Sequence, residues 1–202
     1  MHDPEKGLLI VISGPSGVGK GTICRELFNK YDDIIYSVST TTRKPRPGEV
    51  EGKHYFFTTE EEFQKLIAQD AFLEWAQVYG NYYGTPRQYV EEILQAGKDC
   101  ILEIDIQGAL QVKQKMPEGI FIFVVPPSLQ ELIRRITCRG TEDPSEIEKR
   151  MSQVSEEMSH LQDYDYIVVN DEVPSAVEQV RAIIVAERCR SSRMCKLINM
   201  EV

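Results

Sequence analysis

The chain has no apolar run close to the ~20 residues of a membrane-spanning helix, and stretches such as Leu8–Ile12 are far shorter. Positive charge is also in short supply. Lys and Arg number 23 against 32 Asp and Glu, a net charge of −9, which argues against a general nucleic-acid binder. That balance still permits an anionic small molecule, because a local arginine cluster sets the field inside a cleft. Histidine is scarce: His2, His54 and His160 form no cluster, so a zinc or catalytic-histidine chemistry has little support. The five cysteines, at 24, 100, 138, 189 and 195, are odd in number and follow neither metal nor disulfide spacing. This fits a reducing compartment, and Cys24 and Cys100 read as small core residues. Residues 1–7 carry acids and a proline where a signal peptide would start basic, so a cytoplasmic location is expected. Repeats and low-complexity segments are missing as well. The rest is ordinary. With 202 residues, 42% hydrophobic and 27% charged, the chain can build one core with insertions or two small ones.

The organising stretch is Leu8 to Thr22, LLIVISGPSGVGKGT. Its apolar start is short, β-branched and not alternating, which suits a strand buried on both faces of a parallel sheet. Gly14, Gly17 and Gly19 follow, then Lys20, then Ile23, Leu27 and Phe28 at helical spacing. Strand, glycine loop, lysine and helix make a phosphate-binding loop, with Gly14–Lys20 matching G-x-x-x-x-G-K. Glycine lets backbone N–H groups face an anion, and the helix adds its unpaired N–H groups and positive dipole end. Lys20 would reach the β and γ phosphates of a nucleotide. The usual Ser or Thr after the lysine, which holds Mg²⁺, is replaced by Gly21, with Thr22 one place later. The metal is therefore expected to be held differently, partly through water.

Strand and helix signals then alternate. Strands are expected at Ile34–Ser39, Tyr55–Phe57, Phe72–Val78, Cys100–Asp105, Ile120–Val125 and Tyr166–Val169. Helices are expected from Thr59 (a capping box with Glu62) to about Gln69, over Arg87–Ala96, and over Ala109–Lys115. Further helices are expected from Ser128 to about Arg139, from Asp143 to about Leu161, and from Val173 to about Arg190. Residues 40–54 and Gly80–Pro86 read as irregular loops, rich in Pro, Gly or charge. Four buried strands, each followed by a helix, predict a parallel sheet covered on both faces. Residues 37–97 break that rhythm and read as a substrate-contacting insertion. Residues 128–161 are helical and arginine-bearing, and read as a lid.

Several polar residues stand out. Arg43 and Arg46 lie on a proline-stiffened loop, where two guanidinium groups can grip phosphate bidentately; two solvated arginines are the plain alternative. Tyr55 and Tyr83 can add neutral donors. Glu74 sits among apolar neighbours in FLEWAQ, costly for a carboxylate without a partner. It can accept from a base with adjacent N–H donors, which guanine offers and adenine does not, or it can simply face outward from its strand. Glu103 and Asp105 share one strand face, and Asp105, nearest the strand end, can serve a Mg²⁺ site or merely cap a helix. Arg135 and Arg139 share a helix face, and Arg150 can turn toward them to cover phosphates.

Taken together, GPSGVGKGT, SVSTTTRKPRPGEVEGKHY, FLEWAQVYGNYYGT, ILEIDIQG, PPSLQELIRRITCRGTE and IVVND, in this order, closely resemble guanylate kinase over about residues 7–188. The resemblance implies transfer of the γ-phosphoryl group of ATP to GMP, and to dGMP, with Mg²⁺. It implies a single-domain α/β fold in three parts. These are a P-loop, parallel-sheet core (1–36, 98–127, 162–202), an inserted mixed α/β GMP-binding region (37–97) and a helical lid (128–161). It places Gly14, Pro15, Ser16, Gly17, Val18, Gly19, Lys20, Gly21, Thr22 and Asn170 at the ATP site. It places Ser39, Glu74 and Thr85 around guanine, Arg43, Arg46, Tyr55 and Tyr83 around the GMP phosphate, and Asp105 among the GMP-binding residues. Lys20, Arg43, Asp105, Arg135, Arg139 and Arg150 are the implied catalytic groups. Thr22 or Asp105, through water, is the candidate metal contact. Glu103 stands where some relatives carry Asp. ATP and GMP are the implied partners, with no nucleic acid, no membrane, and a monomer or small homo-oligomer. Two other readings stay open: a peptide-binding module that has lost catalysis, and a kinase with a different acceptor. The tail from Cys189 to Val202 has no assignment.

Overall fold

The computed structural model describes residues 6–137, 154 and 156–197. The chain runs β1 (Leu9–Ser13), α1 (Lys20–Lys30), β2 (Ile34–Tyr36), β3 (Thr40–Thr41), β4 (Phe56–Phe57), α2 (Glu60–Ala68), β5 (Phe72–Val78), β6 (Asn81–Pro86) and α3 (Arg87–Gln95). It continues with β7 (Asp99–Glu103), α4 (Ile106–Lys115), β8 (Ile120–Val125), α5 (Leu129–Thr137), a 3-10 turn (His160–Asp163), β9 (Tyr166–Val169), α6 (Val173–Arg188) and α7 (Ser191–Leu197).

β1 is buried along its whole length and divides the core in two. Ile10 and Ile12 pack with Ile23 and Leu27 of α1 and with Val177 and Ile184 of α6. Leu9 and Val11 pack the other way, with Val90 and Leu94 of α3 and Val112 of α4. Side chains alternate across a strand, so an unbroken apolar run demands a helical layer on each face. Both layers are present. The main sheet is parallel, in the order β2-β7-β1-β8-β9. The strand order reverses beside β1, the place where open α/β sheets bind ligands at their carboxyl edge. Register puts Ile12 beside Glu103 and Ser13 beside Phe123, so the ends of β1, β7 and β8 meet there.

A second sheet, β4-β3-β6-β5, stands between β2 and β7 in sequence. It corrects the loop expected at Gly80–Pro86: this stretch is β6, antiparallel to β5. Tyr79 and Gly80, with φ of 48° and 78°, make a two-residue hairpin turn whose twist suits the flanking strands. Residues 40–54 are likewise not all irregular, since Thr40–Thr41 pair with both β4 and β6. The strand expected at Ile34–Ser39 stops at Tyr36. α4 starts at Ile106, three residues earlier than its apolar spacing suggested, because the Asp105 carboxylate accepts from Gly108 N at 2.7 Å and caps it. α2 is capped as expected, with Thr59 Oγ1 accepting from Glu62 N.

Cys24 and Cys100 are buried core residues, and burial raises both thiols well above their ordinary pKa. Cys138 and most of the helix expected between Asp143 and Leu161 lie outside the described residues. Part of the tail is helical: α7 follows α6, and Arg190 pairs with the buried Glu187 carboxylate, which also accepts from Tyr166 Oη. Among the described residues no helix is long and apolar enough to cross a membrane.

Candidate active site

The loop between β1 and α1 is shaped by two glycines. Gly14 has φ of 140°, and a Cβ there would lie 2.3 Å from the Val124 carbonyl oxygen. Gly19 has φ of 97°, and a Cβ there would lie 2.4 Å from Asn170 Nδ2. Larger residues are excluded by both backbone strain and space. Val18 anchors the loop in the core, and its carbonyl accepts from Asn170 Nδ2 at 2.8 Å. No side chain caps the start of α1, so its first N–H groups are available to an anion. Lys20 Nζ arches back over the loop to the carbonyls of Gly14 (2.5 Å) and Pro15 (3.1 Å). Burial lowers the Lys20 pKa, and Glu103, Glu157 and Asp105 oppose that by their charge.

Beside the loop lies a cavity of about 180 Å³, walled by Ser39, Tyr55, Glu74, Tyr83, Glu103 and Asp105. The small sheet supplies one wall and the end of β7 the other. Glu74 settles the choice left open by sequence, for it is buried at 7% exposure rather than turned outward. Thr85 Oγ1, from the neighbouring strand, donates to it at 2.5 Å. Burial pushes the Glu74 pKa up to about 7, the Asp105 charge adds to this, and the Thr85 hydrogen bond resists it. α4 comes so close that a Cβ on Gly108 would lie 3.0 Å from Glu74 Oε2. Glu74 is therefore a carboxyl group poised between charged and neutral forms at the wall of a small polar cavity.

Arg43 lies beside Tyr55, one of the cavity's wall residues. Its guanidinium lies 5.4 Å from the Tyr55 ring centroid and donates to Glu49 Oε1 at 2.8 Å. Tyr55 and Tyr83 meet edge to face at 6.0 Å. Arg46 is exposed, and its backbone N–H donates to Glu49 Oε2 at 2.7 Å. Glu49 thus fastens the loop that carries both arginines, and hydrogen bonds from the Arg43 guanidinium and the Arg46 backbone N–H hold its pKa down to about 2. Sequence reasoning overlooked Glu49; the signal was an acid three residues after Arg46, across the Gly48 turn. It also overlooked Glu157, whose charge acts on Lys20.

Other expected site residues are spread more widely. Asn170 is buried and braces the loop. Arg135 donates to Glu131, to the Asn170 carbonyl at 3.0 Å and to the Asp171 carbonyl, tying α5 to the segment before α6. Arg139 and Arg150 lie outside the described residues. Thr22 faces a separate groove of about 610 Å³ between α1 and α6, with Glu26, Asn29 and Val173.

The donor set suits a hard divalent cation. No group of three or more His, Cys, Asp or Glu forms a ready-made metal centre among the described residues. Glu103 nonetheless ends β7, and Asp105 caps α4 two residues later, both close enough to act on Lys20. Mg²⁺ is commonly bound by one or two carboxylates plus substrate phosphates. The Glu103 carboxylate lies directly against Gly21, where a Cβ would come within 3.2 Å of its Oε1.

A parallel sheet with a glycine phosphate loop at its carboxyl edge, and a polar cavity beside it, defines a nucleotide-binding α/β protein of the phosphate-loop kinase class. The family model for guanylate kinase matches residues 6–187. The chain is 59% identical to the guanylate kinase of Caldanaerobacter subterraneus subsp. tengcongensis, with 96% of this chain and 94% of that protein covered. It is 58% identical to the guanylate kinase of Desulfitobacterium hafniense, covering 95% and 96%. The crystal structure of guanylate kinase from Anaplasma phagocytophilum superposes with a TM-score of 0.73 at 35% identity, covering 94% of this chain and 90% of that one. The chain belongs to the guanylate kinase family.

Proposed function

We infer that the chain is an ATP:GMP phosphotransferase, an enzyme that moves the γ-phosphoryl group of ATP to GMP and releases ADP and GDP. The observation that carries the reading is Glu74, buried at a cavity wall with Thr85 donating to it. In its ionised form it accepts from guanine N1–H and N2–H₂ together, a pair that adenine does not offer. Ser39 and Asp105, on the same cavity, complete the base site. Arg43, Arg46, Tyr55 and Tyr83 take the acceptor phosphate, and Glu49 keeps the arginine loop in shape.

The loop 14–22 takes the donor phosphates through its backbone N–H groups and Lys20. The Lys20 ammonium leaves the Gly14 and Pro15 carbonyls to meet them. No protein nucleophile is needed, because the GMP phosphate oxygen is already anionic and attacks in line. Catalysis is then positioning plus neutralisation of charge spread over the transferred group. Arg135, with Arg139 and Arg150, supplies that neutralisation from the lid. Glu103 and Asp105, beside the loop, would hold a Mg²⁺ ion bound with ATP, which would supply further neutralisation of phosphate charge, while Thr22 faces the groove between α1 and α6. Closure of the 37–97 and 128–161 regions over core 1–36, 98–127 and 162–202 excludes water and suppresses idle hydrolysis. Use of dGMP and cytoplasmic residence complete the reading.

The test is ADP release from Mg-ATP with GMP and without acceptor, with the second product identified by chromatography. GDP formed in equal amount to ADP, and little ADP without GMP, is the expected result. A folded protein that binds GMP but makes no GDP would refute it and leave a binding module.

A further inference from the structure

Tyr36, Tyr55 and Tyr83 all border the acceptor cavity, and only the last two have a role so far. Tyr36 differs from them in origin, for it ends β2 of the main sheet. Register sets its place. Tyr36 pairs with Ile101 of β7, and Glu103 follows Ile101 by two residues. Side chains alternate along a strand, so Tyr36, Ile101 and Glu103 project to one face of the sheet. Ile101 packs there with Ile23 and Leu27, which makes it the α1 face. Phe28 of α1 then orients the Tyr36 ring, edge to face with centroids 5.4 Å apart. Glu103 and Tyr55 are both near enough to act on the Tyr36 hydroxyl. Glu103 in turn acts on Lys20, and Tyr55 lies against Arg43. Through these two neighbours the hydroxyl adjoins both the lysine of the donor loop and the arginine of the acceptor loop. Burial raises its pKa and the Glu103 charge adds to this, so it keeps its proton and can donate without adding charge. Among the described residues that hydroxyl has no hydrogen-bond partner.

We propose that the Tyr36 hydroxyl is a third tyrosine donor to the acceptor phosphate, carried by the main sheet where Tyr55, Tyr83 and the two arginines ride on the 37–97 region. The proposal rests on reading the cavity as the GMP site and adds a ligand to it. The distinction of origin has a consequence. Ligands on 37–97 travel with that region as it closes, whereas Tyr36 stays with the sheet that also carries the donor loop. Its hydrogen bond therefore sets the attacking phosphate against the core, beside Lys20, and alignment of the two reactants is what this chemistry depends on.

The experiment uses the full chain and compares Tyr36→Phe with the wild type. Phenylalanine keeps the edge contact with Phe28 and removes only the hydroxyl. Affinities for GMP and for guanosine, which has the same base and sugar but no phosphate, are read by calorimetry. Tyr36→Phe should weaken GMP binding about three- to tenfold, the span of one neutral hydrogen bond, and leave guanosine binding and KM for ATP unchanged. Tyr83→Phe serves as the standard, with a loss for GMP alone. Unchanged GMP affinity in Tyr36→Phe beside a loss in Tyr83→Phe overturns the proposal and leaves the GMP site standing. An equal loss for GMP and guanosine in Tyr36→Phe also overturns it, since the hydroxyl would then serve only the shape of the cavity. A wild-type protein that binds guanosine as tightly as GMP would overturn the phosphate site itself and this proposal with it.

Discussion

The two halves of the site are built from different materials. The donor side is backbone: a glycine loop hung between a fully buried strand and a helix that packs into the same core. The acceptor side is side chain: Glu74, Thr85, Tyr55, Tyr83 and Arg43, held on a small sheet with its own aromatic packing of Phe63, Phe72 and Tyr82. Backbone N–H groups bind any phosphate chain and cannot be substituted away one by one. Side chains discriminate, and each can be removed singly. Substitutions on the donor side should therefore abolish turnover with every acceptor, while those on the acceptor side should change which acceptor is used and how tightly.

Lys20→Ala should give the largest effect, about a 10³-fold or greater loss of kcat, in line with removal of a cation from a phosphoryl-transfer site. Thermal denaturation should show the fold intact, since the lysine is buried at a cost. A variant with near-normal turnover would erase the contrast on the donor side.

The next effect is a pH dependence confined to the acceptor side. Burial pushes the Glu74 pKa up from 4.5 to about 7 in the free protein. Below that pH one carboxyl oxygen carries a proton and opposes the guanine N–H groups; above it both accept. KM for GMP should fall as pH rises through 7 and then level off, while KM for ATP should not follow. The acceptor phosphate has its own ionisation near ~6, so Glu74→Gln is the control that isolates the carboxyl. The same shift has a stability consequence of fixed sign. The folded state binds the extra proton, so the free protein loses stability between pH 4.5 and about 7. Glu74→Gln should remove that loss in thermal scans.

Glu49→Gln should act more gently, raising KM for GMP severalfold through a looser arginine loop and leaving KM for ATP unchanged. Equal rises in both would deny Glu49 its place on the acceptor side. Thr59→Ala should touch neither. It removes the cap of α2 for about 1 kcal/mol, a fall of about 2–4 °C in Tm, with kinetics unaltered.

The same division explains what sequence could show. The core was legible, because a period of two with no polar face has one solution; β1 and β8 were placed to within a residue. The donor loop was legible because glycine spacing reports backbone shape directly. The small sheet was read less well. β6, NYYGTP, has the composition of a loop and becomes a strand only because the Tyr79–Gly80 turn folds it onto β5. Glu49 was invisible for a related reason: an acid in a charged, proline-rich loop looks solvated until its partners are in place. Glu74 carried the right suspicion, but only burial and the Thr85 hydrogen bond separate it from an outward-facing strand residue. Asp105 proved to be a helix cap while also lining the cavity.

The most direct test of the division is an acceptor panel, with ADP release from Mg-ATP measured for GMP, dGMP, AMP, CMP and UMP in the wild-type protein and in Glu74→Gln. The account predicts that the wild type strongly favours GMP, uses dGMP less well and barely uses the others. In Glu74→Gln, kcat/KM for GMP should drop about 10²-fold or more, as expected when a buried partner to substrate N–H groups is lost, and the preference for GMP over AMP should shrink with it. A variant that keeps the wild-type preference would contradict the claim that this one buried carboxylate chooses the base.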